Sequence, residues 1–252
     1  MTKILLNGCT GKMGKTISSL VKKHSNLEIV AGIDRNIEDN SDYKIYPAPR
    51  DVDIDYDVLL DFSRPDALEG LIELSIKRGK PLILCTTGYT KEQLDKIKDT
   101  SNKIPVFRSA NMSLGVNLVS ELLKIISPVL YEDFDIEIIE KHHNEKVDAP
   151  SGTALLLADS IRGSLKEDTN IIEGRHGIGK RKHNDIGIHA IRGGSIVGDH
   201  ETIFAGKGEI IEITHKAISR DVFAYGALKA CSFIKDKEAG LYDMTDVINL
   251  RL

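Results

Sequence analysis

Short apolar runs alternate with amphipathic helical patterns through the first half of the chain. Lys3 to Asn7 reads as a buried strand that runs directly into Gly8-Cys9-Thr10-Gly11-Lys12-Met13-Gly14, after which Ile17, Leu20 and Val21 recur at helical spacing. Leu27 to Ile33 reads as a second strand ending at Asp34, Val58 to Phe62 as a third, Pro81 to Cys85 as a fourth and Ile104 to Phe107 as a fifth. Pro65 suits the first turn of a helix whose inward face is Leu68, Leu71, Ile72 and Ile76. Thr90-Lys91-Glu92-Gln93 has the capping-box form and predicts another helix start. The polar stretch 35–56, with Pro47 and Pro49, is expected to be a connection.

Apolar strands that alternate with helices imply a parallel sheet covered on both faces, with ligands bound beyond the carboxyl ends of the strands. Those ends are Asn7-Gly8, Asp34, Phe62-Ser63, Thr86-Thr87 and Ser109-Ala110-Asn111. The texture changes after residue 113. Leu114 to Ile126 predicts a long helix stopped by Pro128, and Phe134 to Ile138 alternates apolar and acidic residues as a half-exposed strand does. Residues 186–192, 196–204 and 209–215 repeat that alternation, and Ser219 opens a final helix through Phe233. The expected architecture is α/β: a Rossmann-type parallel-sheet dinucleotide domain over 1–112, completed by 218–252, and a mixed α+β domain with an open sheet over 113–217.

Composition narrows the class. Among 252 residues, 34 Lys+Arg face 38 Asp+Glu, so the chain lacks the strongly basic balance typical of nucleic-acid binders. No run reaches the roughly 18 uncharged apolar residues of a membrane span, and the apolar run at the start is too short for a signal peptide. A cytoplasmic protein with neither a nucleic-acid nor a membrane partner is expected. Cys9, Cys85 and Cys231 are widely spaced and read as small buried thiols, not as a metal or disulfide framework. Seven of the eight histidines lie at or after position 142, which sets the chemistry of the second half apart.

Two constellations carry chemistry. Gly8, Gly11 and Gly14, between strand and helix, permit a tight turn that offers backbone N–H groups to a pyrophosphate, although the spacing departs from G-x-G-x-x-G. Asp34, 20 residues after Gly14, is placed to accept from a ribose diol, and Arg35 beside it to pair with a 2′-phosphate. A glycine turn with a solvent-facing acid is the plainer alternative. The second constellation runs from Glu140 through Lys141-His142-His143-Asn144-Glu145-Lys146 to Pro150-Ser151-Gly152-Thr153. Its last residues start a helix, which favours an anion, and His142, His143 and Lys146 add cationic or proton-donating groups. A small carboxylate substrate fits. A metal site and a merely solvated strand end are the rivals; no cysteine or further histidine at ligand spacing supports a metal.

The chain resembles the dihydrodipicolinate reductase (4-hydroxy-tetrahydrodipicolinate reductase) family over nearly its whole length. The resemblance is carried by Gly8 to Gly14, Asp61-Phe62-Ser63-Arg64-Pro65, Thr86-Thr87-Gly88-Tyr89, Ala110 to Asn117, Glu137 to Ala154, Arg192 to His200 and Thr214-His215-Lys216-Ala217. It implies NADH- or NADPH-dependent reduction of a dicarboxylate in the diaminopimelate route to lysine. It implies a cofactor lined by Gly8, Cys9, Thr10, Gly11, Lys12, Met13, Asp34, Cys85, Thr86, Thr87, Ser109, Ala110, Asn111 and Met112. His142 and Lys146 become the candidate proton donors, while His143, Gly152 and Thr153 fall to the substrate's carboxylates. A homotetramer joined through the second-domain sheet is also implied. Cys85 and Met112 stand where the family pattern is expected to have glycine and phenylalanine. The alternatives are another amino-acid-type dehydrogenase, or a catalytically inactive NAD-binding sensor with no need of His142 and Lys146.

Overall fold

The computed structural model describes residues 1–37 and 41–249. Contacts divide the chain into two compact units, Met1–Leu114 with Asp221–Leu252, and Gly115–Arg220.

In the first unit the strands are β1 (Thr2–Asn7), β2 (Leu27–Ile33), β3 (Lys44–Tyr46), β4 (Val58–Asp61), β5 (Leu82–Leu84) and β6 (Pro105–Arg108), with the late strand Gly240–Tyr242 added from the chain's end. They form one sheet in the order Gly240–Tyr242, β6, β5, β4, β1, β2, β3, and every neighbouring pair is parallel. Alternation along β1 explains the two cores. Ile4 and Leu6 point to one face and join Ile17, Leu20, Ala227 and Leu228 from helices α1 (Lys12–Val21) and Asp221–Ile234. Leu5 points to the other face and joins Leu71, Ile72 and Ile97 from α2 (Leu68–Arg78) and α3 (Lys91–Ser101). A sheet buried on both faces needs strands apolar at nearly every position, as β4 is. The expected capping box is present at α3, where Gln93 N–H donates to Thr90 Oγ1 at 3.3 Å and Thr90 N–H to Gln93 Oε1 at 2.9 Å.

In the second unit β7 (Asp135–His142), β8 (Asn170–Glu173), β9 (Asp185–Arg192), β10 (Gly198–Ala205) and β11 (Ile210–Ala217) form a mixed sheet in the order β11-β10-β7-β9-β8. Strand β7 pairs parallel with β9 and antiparallel with β10. Ile136, Ile138, Ile186, Ile188 and Phe204 pack with Leu123 of α4 (Leu114–Leu130) and with Leu157, Ala158 and Ile161 of α5 (Gly152–Ser164). The alternate residues of β7, Asp135, Glu137, Ile139 and Lys141, lie on the opposite face and stay partly exposed.

Three expectations are corrected. Pro128 does not stop the long helix, which continues to Leu130. Proline withholds only its own N–H, and Tyr131 N–H still reaches the Ser127 carbonyl at 2.9 Å, so the loss stays local. The 35–56 connection contains the edge strand β3, whose register Ala31↔Lys44 to Ile33↔Tyr46 is fixed by pairing and not by its own three residues. Its residues Glu38, Asp39 and Asn40 lie outside the described residues. Strand β8 has no pattern of its own in the sequence, because Asn170–Glu173 owes its conformation to β9. The final helix, α6, spans Asp221–Ile234 and is followed by the strand β12 (Gly240–Tyr242) and the short helix α7 (Met244–Ile248), which complete the elements. No described helix is long and apolar enough to cross a membrane.

Candidate active site

In the first unit every strand is parallel, so the turns after β1, β2, β4, β5 and β6 meet at one rim of the sheet. The strand order reverses between β1 and β4, the place where an open parallel sheet leaves a crevice. Gly8 has φ +77°, and a Cβ there would stand 2.5 Å from the Phe62 carbonyl oxygen. At Gly14 a Cβ would stand 2.3 Å from the Gly8 carbonyl oxygen. Only glycine permits this close approach of turn and helix. Helix α1 begins after Gly11 with no side-chain cap and no acidic residue in its first turn, which leaves its positive end suited to a pyrophosphate. Asp34 Oδ2 accepts from Thr10 N–H at 3.1 Å, so the carboxylate and the glycine turn are adjacent.

Beneath the rim lies Asp61, fully buried. It accepts from Asn7 Nδ2 at 2.7 Å, Ser63 Oγ at 2.5 Å, Ser63 N–H at 3.1 Å and Thr86 Oγ1 at 2.7 Å. Burial pushes its carboxyl up against the opposing pull of Ser63, Thr86 and Asn7. One carboxylate thus ties the ends of β1, β4 and β5 and sets the position of Thr86. Cys9 and Met112 turn their side chains into the core. Burial also pushes the Cys85 thiol well up, in keeping with an inert side chain. Ser109 Oγ donates to the Asn111 carbonyl at 2.7 Å and orders the turn through Ala110. Lys12 and Met13 open α1, Thr87 follows Thr86, and Arg35 lies exposed in an ion pair of 2.7 Å with Asp66.

The second unit gathers the histidine–lysine cluster. The inward positions of β7 are Ile136, Ile138, Glu140 and His142, so the apolar row ends in an acid and an imidazole. His142 Nδ1 lies 2.7 Å from Glu140 Oε2. The Arg192 guanidinium forks onto Glu140 at 2.7 and 2.8 Å, and Ser151 N–H donates to Glu140 Oε1 at 3.0 Å. Burial alone would raise the Glu140 carboxyl, but Arg192, His142 and Ser151 outweigh it and hold the group below its ordinary value. Lys146 Nζ is fixed by Asp148 at 2.6 and 2.7 Å.

Ser151 caps α5, accepting from Ala154 N–H at 3.2 Å, and the first turn of that helix carries no acidic residue. The Gly152–Thr153 start therefore presents a positive helix end suited to an anion. His143 follows the last residue of β7, and the Arg220 guanidinium lies 3.5 Å from its Nε2. His200 Nε2 lies 3.0 Å from Ser151 Oγ, and burial lowers this imidazole to about 4.

Sequence reasoning had assigned no role to Glu140, Arg192, His200, Arg220 or Asp61. Glu140 carried a signal, an acid on the apolar parity of its own strand. Arg192 and His200 reach the cluster only through the register His142↔Arg192 and Glu140↔His200, across 50 and 60 residues.

Residues 2–112 match the family model for the dihydrodipicolinate reductase N-terminus, and residues 115–248 the model for its C-terminus. The chain belongs to the dihydrodipicolinate reductase family. A 4-hydroxy-tetrahydrodipicolinate reductase of Clostridium perfringens is 62% identical over 252 residues, 99% of each chain. Another from Clostridium novyi is 60% identical over 248 residues, 98% of each. Among solved structures, a dipicolinate-bound dihydrodipicolinate reductase from Paenisporosarcina superposes with a TM-score of 0.83 at 24% identity, covering 98% of this chain and 99% of that one. A dihydrodipicolinate reductase is expected to combine a Rossmann-type sheet with a second, mixed-sheet unit, and both are present.

Proposed function

We propose that this protein reduces 4-hydroxy-tetrahydrodipicolinate to tetrahydrodipicolinate in diaminopimelate and lysine biosynthesis. The observation that carries the reading is 62% identity, along the full length, to a reductase of that name. As a reductase built on a Rossmann-type unit it takes a nicotinamide dinucleotide, which supplies the hydride. The glycine turn after β1 and the uncapped start of α1 hold the pyrophosphate, Asp34 the adenine ribose, and Cys85 to Thr87 with Ser109 to Met112 the remainder. NADH and NADPH are both used, NADH at least as well, because Asp34 repels a 2′-phosphate and Arg35 offsets that repulsion.

The substrate's carboxylates sit at Gly152 and Thr153, at the start of α5, with His143. The dipicolinate carried by the Paenisporosarcina relative is an anion of the kind such a site would take. Hydride addition leaves negative charge on the ring, and His142 with Lys146 supplies the proton that quenches it. The second unit also carries the oligomer contact: the face of β7 bearing Asp135, Glu137, Ile139 and Lys141 joins copies into a homotetramer, working in the cytoplasm.

The test is the loss of nicotinamide absorbance with freshly formed 4-hydroxy-tetrahydrodipicolinate. Turnover with NADH and with NADPH is expected. A folded protein that oxidises neither cofactor would overturn the reading, and a native mass of one chain would overturn the tetramer.

A further inference from the structure

The carboxylate of Glu140 lies at the centre of the cluster around His142. It has no exposed surface and sits where β7, β9 and the start of α5 meet. Four nitrogens from three residues converge on its two oxygens. Oε1 accepts from Ser151 N–H at 3.0 Å and from Arg192 Nη2 at 2.8 Å; Oε2 accepts from Arg192 Nη1 at 2.7 Å and lies 2.7 Å from His142 Nδ1. A guanidinium and a peptide N–H can only donate. The carboxylate is thereby committed as an acceptor on both oxygens, and the imidazole nitrogen facing Oε2 is committed as the donor. Arg192 Nη2 also donates to the Asp148 carbonyl at 2.6 Å, which extends the clamp into the loop that carries Lys146. On the far side of the ring, Nε2 faces Gly198, where a Cβ would stand 3.0 Å away. His200 closes the remaining edge, its ring 5.1 Å from that of His142.

We propose that Glu140 is the positioning residue of the reaction: it fixes the His142 proton on Nδ1, leaves Nε2 as the nitrogen that gains and gives the catalytic proton, and through Ser151 locks the proton donor in register with the anion-binding start of α5. This rests on the reading of His142 as a proton donor and adds to it which nitrogen acts and what holds it there. With Nδ1–H committed to the carboxylate, the proton leaving the ring departs from Nε2 and the neutral ring left behind keeps Nδ1–H. The same carboxylate bonds Ser151, so a displacement of β7 relative to α5 would break both contacts at once. An amide cannot replace it. Whichever way a glutamine is turned, its NH₂ meets at least one Arg192 nitrogen or the Ser151 N–H, and the turn that spares Ser151 offers His142 a donor in place of an acceptor.

The experiment is ¹⁵N spectroscopy of histidine-labelled protein combined with kinetics of Glu140→Gln and His142→Gln, the latter also assigning the His142 signals by their disappearance. The wild-type neutral ring is expected to carry its proton on Nδ1. Glu140→Gln is expected to move that proton to Nε2 and to lower kcat about 10²–10⁴-fold, the range of a general acid, with a smaller change in KM. A wild-type ring protonated on Nε2 would overturn the proposal, and this measurement needs no variant to fold. Glu140→Gln protein that keeps wild-type kcat, while His142→Gln loses it, would overturn the positioning role and leave the proton-donor reading intact. His142→Gln protein with wild-type kcat would overturn both.

Discussion

The Arg220 guanidinium lies 3.5 Å from Nε2 of His143, a pair separated by 77 residues and drawn together where β7 and the chain after β11 end. The guanidinium can only donate, so His143 Nε2 accepts from it, and the remaining guanidinium N–H groups are offered to a carboxylate bound beside the pair. Arg220→Ala is expected to raise KM for the substrate about tenfold or more, on the scale of a lost charge-assisted hydrogen bond, and to leave kcat within a few-fold. Steady-state kinetics separates the two parameters. A kcat loss with unchanged KM would place Arg220 elsewhere in the reaction.

His200 gives the second prediction. Its buried imidazole is held at about 4, against an ordinary value of 6.5. Between those values the unfolded chain binds a proton that the folded protein refuses, so stability falls as the pH drops from 6.5 through 4. The loss from this one group is at most about 3 kcal/mol. His200→Gln keeps a polar partner for Ser151 but does not titrate. Urea unfolding at several pH values should give it a shallower acid loss than wild type, and identical slopes would show that His200 titrates normally.

Asp34 bears on cofactor choice. Its Oδ2 is already bonded to Thr10 N–H at 3.1 Å, which aims the carboxylate across the glycine turn. Asp34→Ala is expected to raise KM for NADH about tenfold and KM for NADPH much less, because the change also removes repulsion of the 2′-phosphate. Equal losses with both cofactors would mean that Asp34 supports the turn and does not contact the ribose.

Two glycines separate packing from binding. A Cβ at Gly14 would meet the carbonyl oxygens of Gly8 and Cys9 at 2.3 and 2.5 Å, whereas Gly152 has open space around the same position. Gly14→Ala should therefore cost about 1–3 kcal/mol of stability through overpacking and weaken cofactor binding. Gly152→Ala should leave the melting temperature unchanged. Thermal unfolding of the two variants side by side decides it.

These contrasts mark what a sequence can carry. The parallel sheet was legible because β4 and β5 are apolar at nearly every position and β1 carries the run Ile4-Leu5-Leu6, and the start of α5 because Ser151 is a capping residue ahead of a helical pattern. His142, Lys146 and Thr153 stood out as one dense polar segment. The clamp that holds His142 did not, since Arg192 and His200 come from strands whose register with β7 exists only after folding. Strands β3, β8 and β12, of three or four residues each, were invisible for the same reason. Pro128 misled because a local rule about proline was applied to the last turn of a helix anchored by Leu123 in the core.

In the proposed reaction His142 and Lys146 deliver the proton, and Lys146 offers the most direct test. Its ammonium is held by Asp148 at 2.6 Å and contributes nothing to the apolar core, so the variant should fold. The decisive measurement is kcat of Lys146→Ala with 4-hydroxy-tetrahydrodipicolinate, taken alongside its melting temperature. A fall of about 10²–10⁴-fold in kcat at an unchanged melting temperature is the predicted result; a folded variant with near-normal kcat would contradict the account.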